Sequence, residues 1–212
     1  MFLRLTDIEH YMTMPMIITN LANNGFSVEK RAVKEDIEAL ILSGMDIEYV
    51  HNKGYHLKSR PFSLSILKLL TDAIASFRFL TVKDSEKLLK LLESLCSVYE
   101  SPSLRRGIIF ANLVKSDNEQ IFDNIDMINF AFCNNQQISF DYYDYDVNKQ
   151  SVFRSGEKRN CSPCALVMCD GYYYVVSHYE KYSDTYTNFR LDRMKNIELI
   201  ASKRNLPDKK LD

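Results

Sequence analysis

Two arginines and a row of tyrosines near the C-terminal end suggest chemistry more clearly than any other residues of the chain. The segment GYYYVVSHY begins at Gly171, and NFRLDRM, which follows after a polar turn, contains Arg190 and Arg193. Guanidinium groups hold phosphate oxygens through paired hydrogen bonds, and tyrosine rings stack on flat bases. These residue types together predict a site for a ligand that carries both bases and phosphates.

Both segments are expected to be strands, in which successive side chains alternate between the two faces of a sheet. Tyr172 and Tyr174 then share one face. Arg190 and Arg193 fall on opposite faces of an extended segment, and they diverge unless the chain bends between them. In the alternative interpretation, one arginine is a surface charge and the other pairs with Asp192 or another nearby carboxylate.

The ligand site is predicted to contain three principal residues and two secondary ones. Arg190 and Arg193 are assigned to phosphate, because planar guanidinium forks grip oxyanions in pairs. Tyr174 is assigned to stacking or to a hydroxyl hydrogen bond. Ser162 and His178 are the secondary candidates.

Catalytic and metal-binding patterns are weak in this sequence. It contains no Gly-rich phosphate loop, and no Ser or Cys lies in a recognisable nucleophile elbow. Cys161 and Cys164, with Cys169, could be read as zinc ligands, but no second Cys or His pair stands at a finger-like spacing. The acidic run DYYDYD could be a divalent-ion or carboxylate site, although it is more typical of a solvated hairpin end. We therefore predict no enzymatic activity, no bound metal and no cofactor.

Length and composition are typical of an ordinary intracellular protein. The 212 residues allow one large domain or two small ones with a connector, and the 46% apolar content can supply more than one core. No apolar run approaches the roughly 20 residues that a membrane span needs, and the N-terminus lacks the layout of a secretion signal. Five cysteines, an odd number, fit reduced thiols better than a disulfide framework. These features predict a cytoplasmic protein without a membrane partner.

Charge is spread evenly along the chain, and the formal net charge is −1. Residues 1–60 contain 7 Lys and Arg against 8 Asp and Glu, and residues 137–212 contain 12 against 11. Nonspecific DNA affinity comes largely from neutralised phosphates and the counterions that they release. We therefore expect weak DNA binding by a monomer, and a dimer would double the number of phosphates reached.

The first sixty residues have the pattern of a small helical domain with a two-stranded hairpin. A first helix is predicted to begin near Pro15, after the capping residue Thr13, and a second to run from Val28 to Ser43 with Ser27 as its cap. Two strands are predicted to flank the turn His51-Asn52-Lys53-Gly54, in which Gly54 can take a positive φ.

The rest of the chain changes from helices to strands. After Pro61, two leucine-rich amphipathic helices are predicted, whose apolar stripes serve either as core or as a dimerisation face. A short extended segment at Ile108-Ile109-Phe110 and a helix over residues 118–134 follow. Short strands are then predicted over ISFDYYDY and over about 151–153, 160–168, 172–178, 186–190 and 196–200, and their close spacing suits a small barrel.

The tyrosine strand and the arginine segment resemble the core of the WYL domain, a domain of bacterial transcription regulators. Tyr173-Tyr174-Val175 stands where that family carries Trp-Tyr-Leu. Upstream, Ser162-Pro163-Cys164-Ala165-Leu166 is similar to the family's Ser-Pro-Tyr-x-Leu strand, with Cys164 in place of the usual aromatic residue.

The resemblance extends towards the N-terminus and covers residues 6 to 200. SVEKRAVKEDIEALILSGMDIEYVHNKGYHL is similar to the winged helix-turn-helix that precedes WYL domains, and PFSLSILKLLTDAIASFRFLTVKDSEKLLKLLESL is similar to their helical linker. The implied fold class is α+β. It comprises a winged helix-turn-helix at 1–60, a helical linker at 61–115, a WYL domain built as an Sm-like or SH3-type small β-barrel at 116–202, and a polar tail at 203–212.

The family's usual C-terminal extension is not expected here. WYL regulators commonly continue past the barrel into a further α+β domain that helps to hold the dimer, whereas this sequence ends at Asp212. A homodimer of this chain would then depend on the linker helices and the barrel.

The resemblance also implies where DNA would be contacted. In helix-turn-helix proteins the N-terminal residues of the second helix face the major groove, so Lys30, Arg31 and Lys34 are the candidates. Lys53, in the turn of the wing, is expected to reach the DNA backbone.

Two positions of this helix depart from the family. WYL regulators usually carry a stretch like Arg-x-Thr-Val-Tyr-Arg-Asp-Ile, but here Ala32 lacks the hydroxyl and Glu35 reverses a charge. These two departures favour the second of two hypotheses. The first is a ligand-responsive transcription regulator that binds DNA and also a nucleotide, second messenger or single-stranded oligonucleotide. The alternative is an accessory module that binds nucleic acid or protein and whose winged domain no longer reads an operator.

Overall fold

The computed structural model describes residues 1–106, 115–145, 151–153, 158–179, 181 and 185–206, with the backbone alone at 145 and 151–153. These residues form an α+β protein with antiparallel sheets. The chain divides into two compact units. The first consists of Met1–Ala75 and Glu86–Ile109, and the second of Ser76–Ser85 and Phe110–Asp212. The domain boundaries expected at 60, 115 and 202 remain predictions.

Helices and one hairpin make up the N-terminal half. They are α1 (Phe2–Leu5), α2 (Met14–Asn23), α3 (Lys30–Leu42), β1 (Ile47–Val50), β2 (Gly54–Leu57), α4 (Leu64–Ser76), α5 (Val82–Glu93) and α6 (Ser101–Arg105). On α3, Val33 and Ile37 lie one turn apart and are buried, as the period of an amphipathic helix requires. The core that they join comprises Phe2, Met12, Ile17, Val33, Ile37, Ile47 and Leu57.

The β1–β2 hairpin is attached to the residues before α2. Gly54 has the positive φ that its turn predicts, 110°, and a Cβ atom there would lie 2.4 Å from the carbonyl oxygen of Met12. Next to it, Tyr55 and Met12 exchange two backbone hydrogen bonds of 2.9 Å. Only a glycine fits this close approach. The two hydrogen bonds hold the hairpin against the residues just before α2.

Helix α3 begins later than its sequence suggests. The carbonyl of Glu29 accepts the first helical hydrogen bond, from the Val33 N–H at 3.1 Å, and Glu29 itself is extended. The N-cap is therefore Glu29 rather than Ser27, and no side chain caps the helix. Glu29 is exposed, and the basic residues Lys30 and Arg31 follow it in the first turn.

The second unit packs one helix on a larger sheet. Its elements are α7 (Ile121–Asn134), β3 (Gln136–Tyr145), β4 (Ser151–Phe153), β5 (Arg159–Cys169), β6 (Tyr172–His178), β7 (Tyr186–Arg190) and β8 (Met194–Lys203). Helix α7 contacts β8, β3 and β5. The fully buried side chains include Phe140, Phe189, Ile121, Ile128, Ile138, Leu191, Met194 and Val175.

The sheet is six-stranded and open in the part of the chain that the structure describes. Its order is β4-β3-β5-β6-β7, and β8 pairs with β3. A 3-10 turn, Leu191–Arg193, leads from β7 into β8. No pairing among the described strands joins β7 to β8, so the small barrel expected from the family resemblance is not confirmed.

A short piece of the connector belongs to the second unit. Within Ser76–Ser85, which we call the docked segment, the N–H groups of Arg78 and Phe79 donate to the carbonyl oxygen of Gly171 at 2.7 and 3.3 Å. The Phe79 ring stacks on Tyr173 with centroids 5.4 Å apart. The docked segment therefore packs on the β5–β6 hairpin.

Some sequence predictions fall outside these residues. The extended segment expected at 108–110 and most of the polar tail, from 207 onward, are not among the described residues. Within the described ranges, no helix combines the length and the apolar character that crossing a bilayer requires.

Candidate ligand site and nucleic-acid interface

Arg190, the last residue of β7, is fixed by a carboxylate and an aromatic ring. Its Nε and one terminal nitrogen donate to the two oxygens of Asp192 at 3.1 and 2.7 Å. Asp192 is only 4% exposed. The guanidinium carbon lies 3.5 Å from the centroid of the Tyr172 ring. Burial by itself would lower the pKa of Arg190, but the bonded carboxylate raises it above its ordinary value.

Arg193 follows a bend in the chain. The 3-10 turn Leu191–Arg193 bends the chain between Arg190 and Arg193. Without such a bend, the two side chains would lie on opposite faces of the strand. Arg193 donates from a terminal nitrogen to Asp144 at 2.9 Å. Each predicted phosphate ligand is thus bonded to a carboxylate, where the alternative interpretation expected this of only one arginine.

Tyr142 lies beside both arginines. Its hydroxyl oxygen accepts the backbone N–H of Arg190 at 3.2 Å. Burial raises the pKa of Tyr142, while that hydrogen bond and the charge of Arg193 oppose the shift. The charges of Asp144 and Asp192 also act on this hydroxyl. The two arginine–carboxylate pairs therefore share one neighbourhood around Tyr142.

Sequence reasoning missed a third arginine of this neighbourhood. The guanidinium carbon of Arg159 lies 4.7 Å from the ring centroid of Tyr142 and 5.5 Å from that of Phe189. Among the described residues, no carboxylate comes within 4 Å of its nitrogens. Arg159 pairs with Phe140 across β3 and β5. No local pattern indicates such a cross-strand neighbour, and the register of the two strands is what brings Arg159 here.

Tyr174, the tyrosine predicted to contact the ligand, lies beside Arg190 together with Tyr172. Tyr174 is half-buried and stands directly opposite Arg190 in the β6–β7 register. The ring under the guanidinium, however, is that of Tyr172, two residues away on the same face. Both tyrosines therefore flank Arg190, the ring contact with its guanidinium is made by Tyr172, and the ligand contact of Tyr174 remains a prediction.

The two secondary candidates lie at the other end of the tyrosine strand. Ser162 and His178 are cross-strand partners, and both are buried. The hydroxyl of Ser162 accepts the N–H of Asn205 at 2.9 Å, and Nδ1 of His178 lies 2.8 Å from the carbonyl oxygen of Asn205. His178 lies six positions along β6 from Tyr172, a distance of about 20 Å in a strand. The structure therefore brings Ser162 and His178 together but apart from the arginines.

The cysteines of β5 are not arranged as the simple alternation of a strand suggests. The β5–β6 register shifts between Pro163 and Ala165, at Cys164. Burial raises the pKa of Cys161 to about 12, so this thiol is protonated at neutral pH. Within the described part of the chain, no three His, Cys, Asp or Glu side chains lie together as metal ligands would.

The predicted DNA-contacting residues lie at the start of α3 and in the hairpin turn. Lys30, Arg31 and Lys34 have exposed side chains on α3. A cavity of about 610 Å³ is lined by Lys30 and Lys34 from α3 and by Asn52 from the hairpin turn. Lys53 does not line it, and its Nζ atom lies 5.0 Å from the ring centroid of Tyr11.

Arg31 is engaged within its own helix. Its Nε donates to Glu35, one turn further along, at 3.0 Å. Both side chains are well exposed, so this pair adds little stability. Glu35, one of the two residues that depart from the family, nevertheless neutralises the positive charge of Arg31, which was predicted to contact DNA.

The WYL family model matches residues 123–199, which include nearly all of α7, the whole of β3–β7 and most of β8. The chain contains a WYL domain. This confirms the WYL part of the resemblance, and the domain contains Arg159, Tyr172, Arg190 and Arg193. No curated protein sequence matches the chain.

Among solved structures, the chain is similar to the proteasome accessory factor B/C (PafBC) of Arthrobacter aurescens. The identity is 15% and the TM-score 0.36, over 98% of this chain and 32% of that one. The chain thus spans about a third of the length of this relative.

Proposed function

We propose that this protein is a ligand-responsive transcription regulator. Its WYL domain binds an anionic ligand with bases, a nucleotide or a single-stranded oligonucleotide, and its N-terminal part binds DNA as a winged helix-turn-helix. The observation that carries the proposal is the Arg190 guanidinium, which lies 3.5 Å from the Tyr172 ring and is bonded to the buried Asp192.

Fixed charge beside a flat ring suits a nucleotide. A guanidinium has five N–H donors, and Asp192 accepts two of them. The Arg190 side chain remains 20% exposed, so a ligand can reach it. Because the carboxylate already orients the fork, a phosphate would not have to order this side chain on binding. The carboxylates thus hold the arginines in place for an incoming anion.

Arg159 supplies additional positive charge. It is held over Tyr142 and Phe189, and in the described part of the chain it has no carboxylate partner within 4 Å. Among the described residues, Arg159 thus adds a positive charge to the two arginine–carboxylate pairs beside Tyr142. This surplus favours an anion over a neutral ligand.

The N-terminal helices supply the proposed DNA-binding part. Helices α2 and α3 followed by the β1–β2 hairpin have the element order of a winged helix-turn-helix. Lys30 and Lys34 line a groove with Asn52 of the hairpin turn, and lysines in such a groove suit contacts with phosphates of the DNA backbone. Coupling between the two functions requires that the ligand bind one arrangement of the protein more tightly than another.

Replacement of the two site arginines tests the ligand proposal. The probe is a 5′-phosphorylated single-stranded tetradeoxynucleotide, titrated into the full chain by calorimetry. The double variant Arg190→Ala/Arg193→Ala should lose at least about a hundredfold in affinity, because two charge-assisted hydrogen-bonding groups disappear. The variant Arg190→Lys/Arg193→Lys keeps the charge but not the planar fork, and it should lose about tenfold.

A charge-matched control separates the site from general electrostatics. The variant Lys181→Ala/Lys203→Ala removes two exposed positive charges from the same unit and should bind the tetranucleotide almost as the parent does. If the arginine variants keep the parent's affinity while thermal melting shows them folded, the ligand proposal is wrong.

The Arg31–Glu35 ion pair favours a second candidate, the accessory module. Its winged domain would serve packing or partner contact, because one charge predicted to meet DNA is already neutralised. Footprinting on the region upstream of the protein's own gene separates the two candidates. Protection there supports the regulator, and tetranucleotide binding without protection supports the accessory module.

A further inference from the structure

The docked segment places a fourth arginine at the tyrosine that lies under Arg190. The guanidinium carbon of Arg78 lies 5.9 Å from the ring centroid of Tyr172, and that of Arg190 lies 3.5 Å from the same centroid. The two guanidinium carbons are therefore no farther apart than the sum of these distances. Arg78 belongs to the second unit, with the WYL sheet, although it precedes the WYL domain in sequence.

The backbone of Arg78, and not its side chain, holds the docked segment in place. Its N–H donates to the Gly171 carbonyl at 2.7 Å, and its own carbonyl accepts the Ser116 N–H at 2.9 Å. The neighbouring Phe79 is 5% exposed and stacks on Tyr173. The Arg78 side chain is thus positioned at Tyr172 without being needed for the docking.

The charge of Arg78 is not neutralised by the described residues. Its side chain is exposed, and no carboxylate of the described chain lies within 4 Å of its nitrogens. Arg190, by contrast, is bonded to Asp192. Two guanidinium groups at one ring repel each other, and a ligand that places an anionic group at each of them removes this cost.

We propose that Arg78 is a ligand-binding residue and that Arg78, Tyr172 and Arg190 together bind two successive anionic groups on either side of a base. The site would then prefer an oligonucleotide to a mononucleotide, because only a ligand with at least two phosphates can reach both guanidinium groups. This inference depends on the proposed anion-binding function of the WYL domain and specifies its ligand class.

Calorimetric titration of the full chain with two probes tests this inference. The probes are deoxyadenosine monophosphate and the 5′-phosphorylated tetradeoxynucleotide. Arg78→Ala should weaken tetranucleotide binding about tenfold and change monophosphate binding by less than about twofold, because only the longer ligand reaches Arg78. Arg190→Ala should weaken the binding of both probes, since both are expected to place a phosphate there.

The control removes a positive charge from the same segment. Lys83 is exposed and pairs with Glu119 at 3.4 Å, and Lys83→Ala should leave both affinities unchanged. Thermal melting of Arg78→Ala should match that of the parent, since the docking hydrogen bonds of Arg78 are made by its backbone.

The possible outcomes are distinct. Parent-like tetranucleotide binding by Arg78→Ala, with a loss in Arg190→Ala, would overturn the role of Arg78 and leave the proposed function intact. An equal loss for both probes in Arg78→Ala would overturn the preference for two phosphates. If the parent chain binds neither probe, the proposed function and this inference both fail.

Discussion

At Arg190 a single side chain touches a buried carboxylate and an aromatic face. Asp192 occupies two donors of the fork, and Tyr172 lies beneath it. The sequence allowed Asp192 as a partner, whereas the contact with the Tyr172 ring depends on the β6–β7 register. The 3-10 turn that contains Asp192 lets its carboxylate reach back to the guanidinium.

A prediction at the residue scale concerns the two tyrosines that flank Arg190. Tyr172→Ala should weaken tetranucleotide binding about ten- to a hundredfold, because base–aromatic stacking contributes about 1–3 kcal/mol per base. Tyr172→Phe keeps the ring and should stay within about threefold of the parent. Calorimetry on Tyr174→Ala provides the comparison. A larger loss for Tyr174→Ala than for Tyr172→Ala would show that the ligand stacks on the other ring.

At the scale of elements, one buried carboxylate holds the loop between α1 and α2. Asp7 accepts hydrogen bonds from the Ser97 hydroxyl at 2.6 Å and from the backbone N–H groups of Glu9 and His10 at 2.9 Å. Burial by itself would raise the pKa of Asp7, but these bonds and the His10 ring together lower it below its ordinary value. The folded chain therefore holds this carboxylate ionised at a lower pH than the unfolded chain does.

The stability of the N-terminal unit should consequently depend on pH. The contribution of Asp7 is fully present above its unfolded pKa of about 3.9, and it is lost as the pH falls through the lower folded value. Asp7→Asn should reduce the free energy of unfolding by about 2 kcal/mol at pH 7. Thermal melts between pH 3 and pH 7 should show the gap to the parent narrowing below about pH 4.

A suitable control replaces an exposed carboxylate of the same unit. Glu38→Gln on α3 should track the parent at every pH. A constant difference between Asp7→Asn and the parent down to pH 3 would mean that the carboxylate charge does not contribute to stability. In that case the hydrogen bonds to the side chain would hold the loop regardless of ionisation.

At the scale of the whole molecule, DNA binding has to arise from local charge. The net charge is −1, so the chain as a whole does not attract DNA. Lys30 and Lys34 are nevertheless gathered at one groove beside the hairpin. A homodimer, which remains a prediction, would present this groove twice and double the number of neutralised phosphates.

The salt dependence of DNA binding measures that contribution. Fluorescence anisotropy with a labelled duplex should give a steep fall of the association constant with salt. In Lys30→Ala/Lys34→Ala the slope of log K against log salt should decrease in magnitude by about two, one for each phosphate that a lysine no longer neutralises. Lys87→Ala/Lys90→Ala, which removes two exposed charges from α5, should keep the parent's slope. An unchanged slope in the groove variant would exclude these lysines from the DNA interface.

Local elements followed closely from the amino-acid pattern. The predicted strands at 151–153, 172–178 and 186–190 coincide with β4, β6 and β7, and the helix expected at 118–134 is α7 starting three residues later. Turn residues and the alternation of apolar side chains act over a few neighbours, so they can be read from the sequence. The cap of α3 was misplaced because Ser27 and Glu29 precede the same apolar pattern, and only the hydrogen bond from Val33 distinguishes them.

The sequence alone therefore determined which residue types were available for an anion site. It also determined the WYL resemblance, which places the tyrosines and Arg190 and Arg193 in one domain. The tertiary structure decided their partners: Asp144 for Arg193, Tyr172 for Arg190, and the docked segment that brings in Arg78. These interactions join residues that lie 18 to 94 positions apart in the chain. They depend on strand register and on packing, which are set by the whole sheet at once and leave no local pattern in the chain.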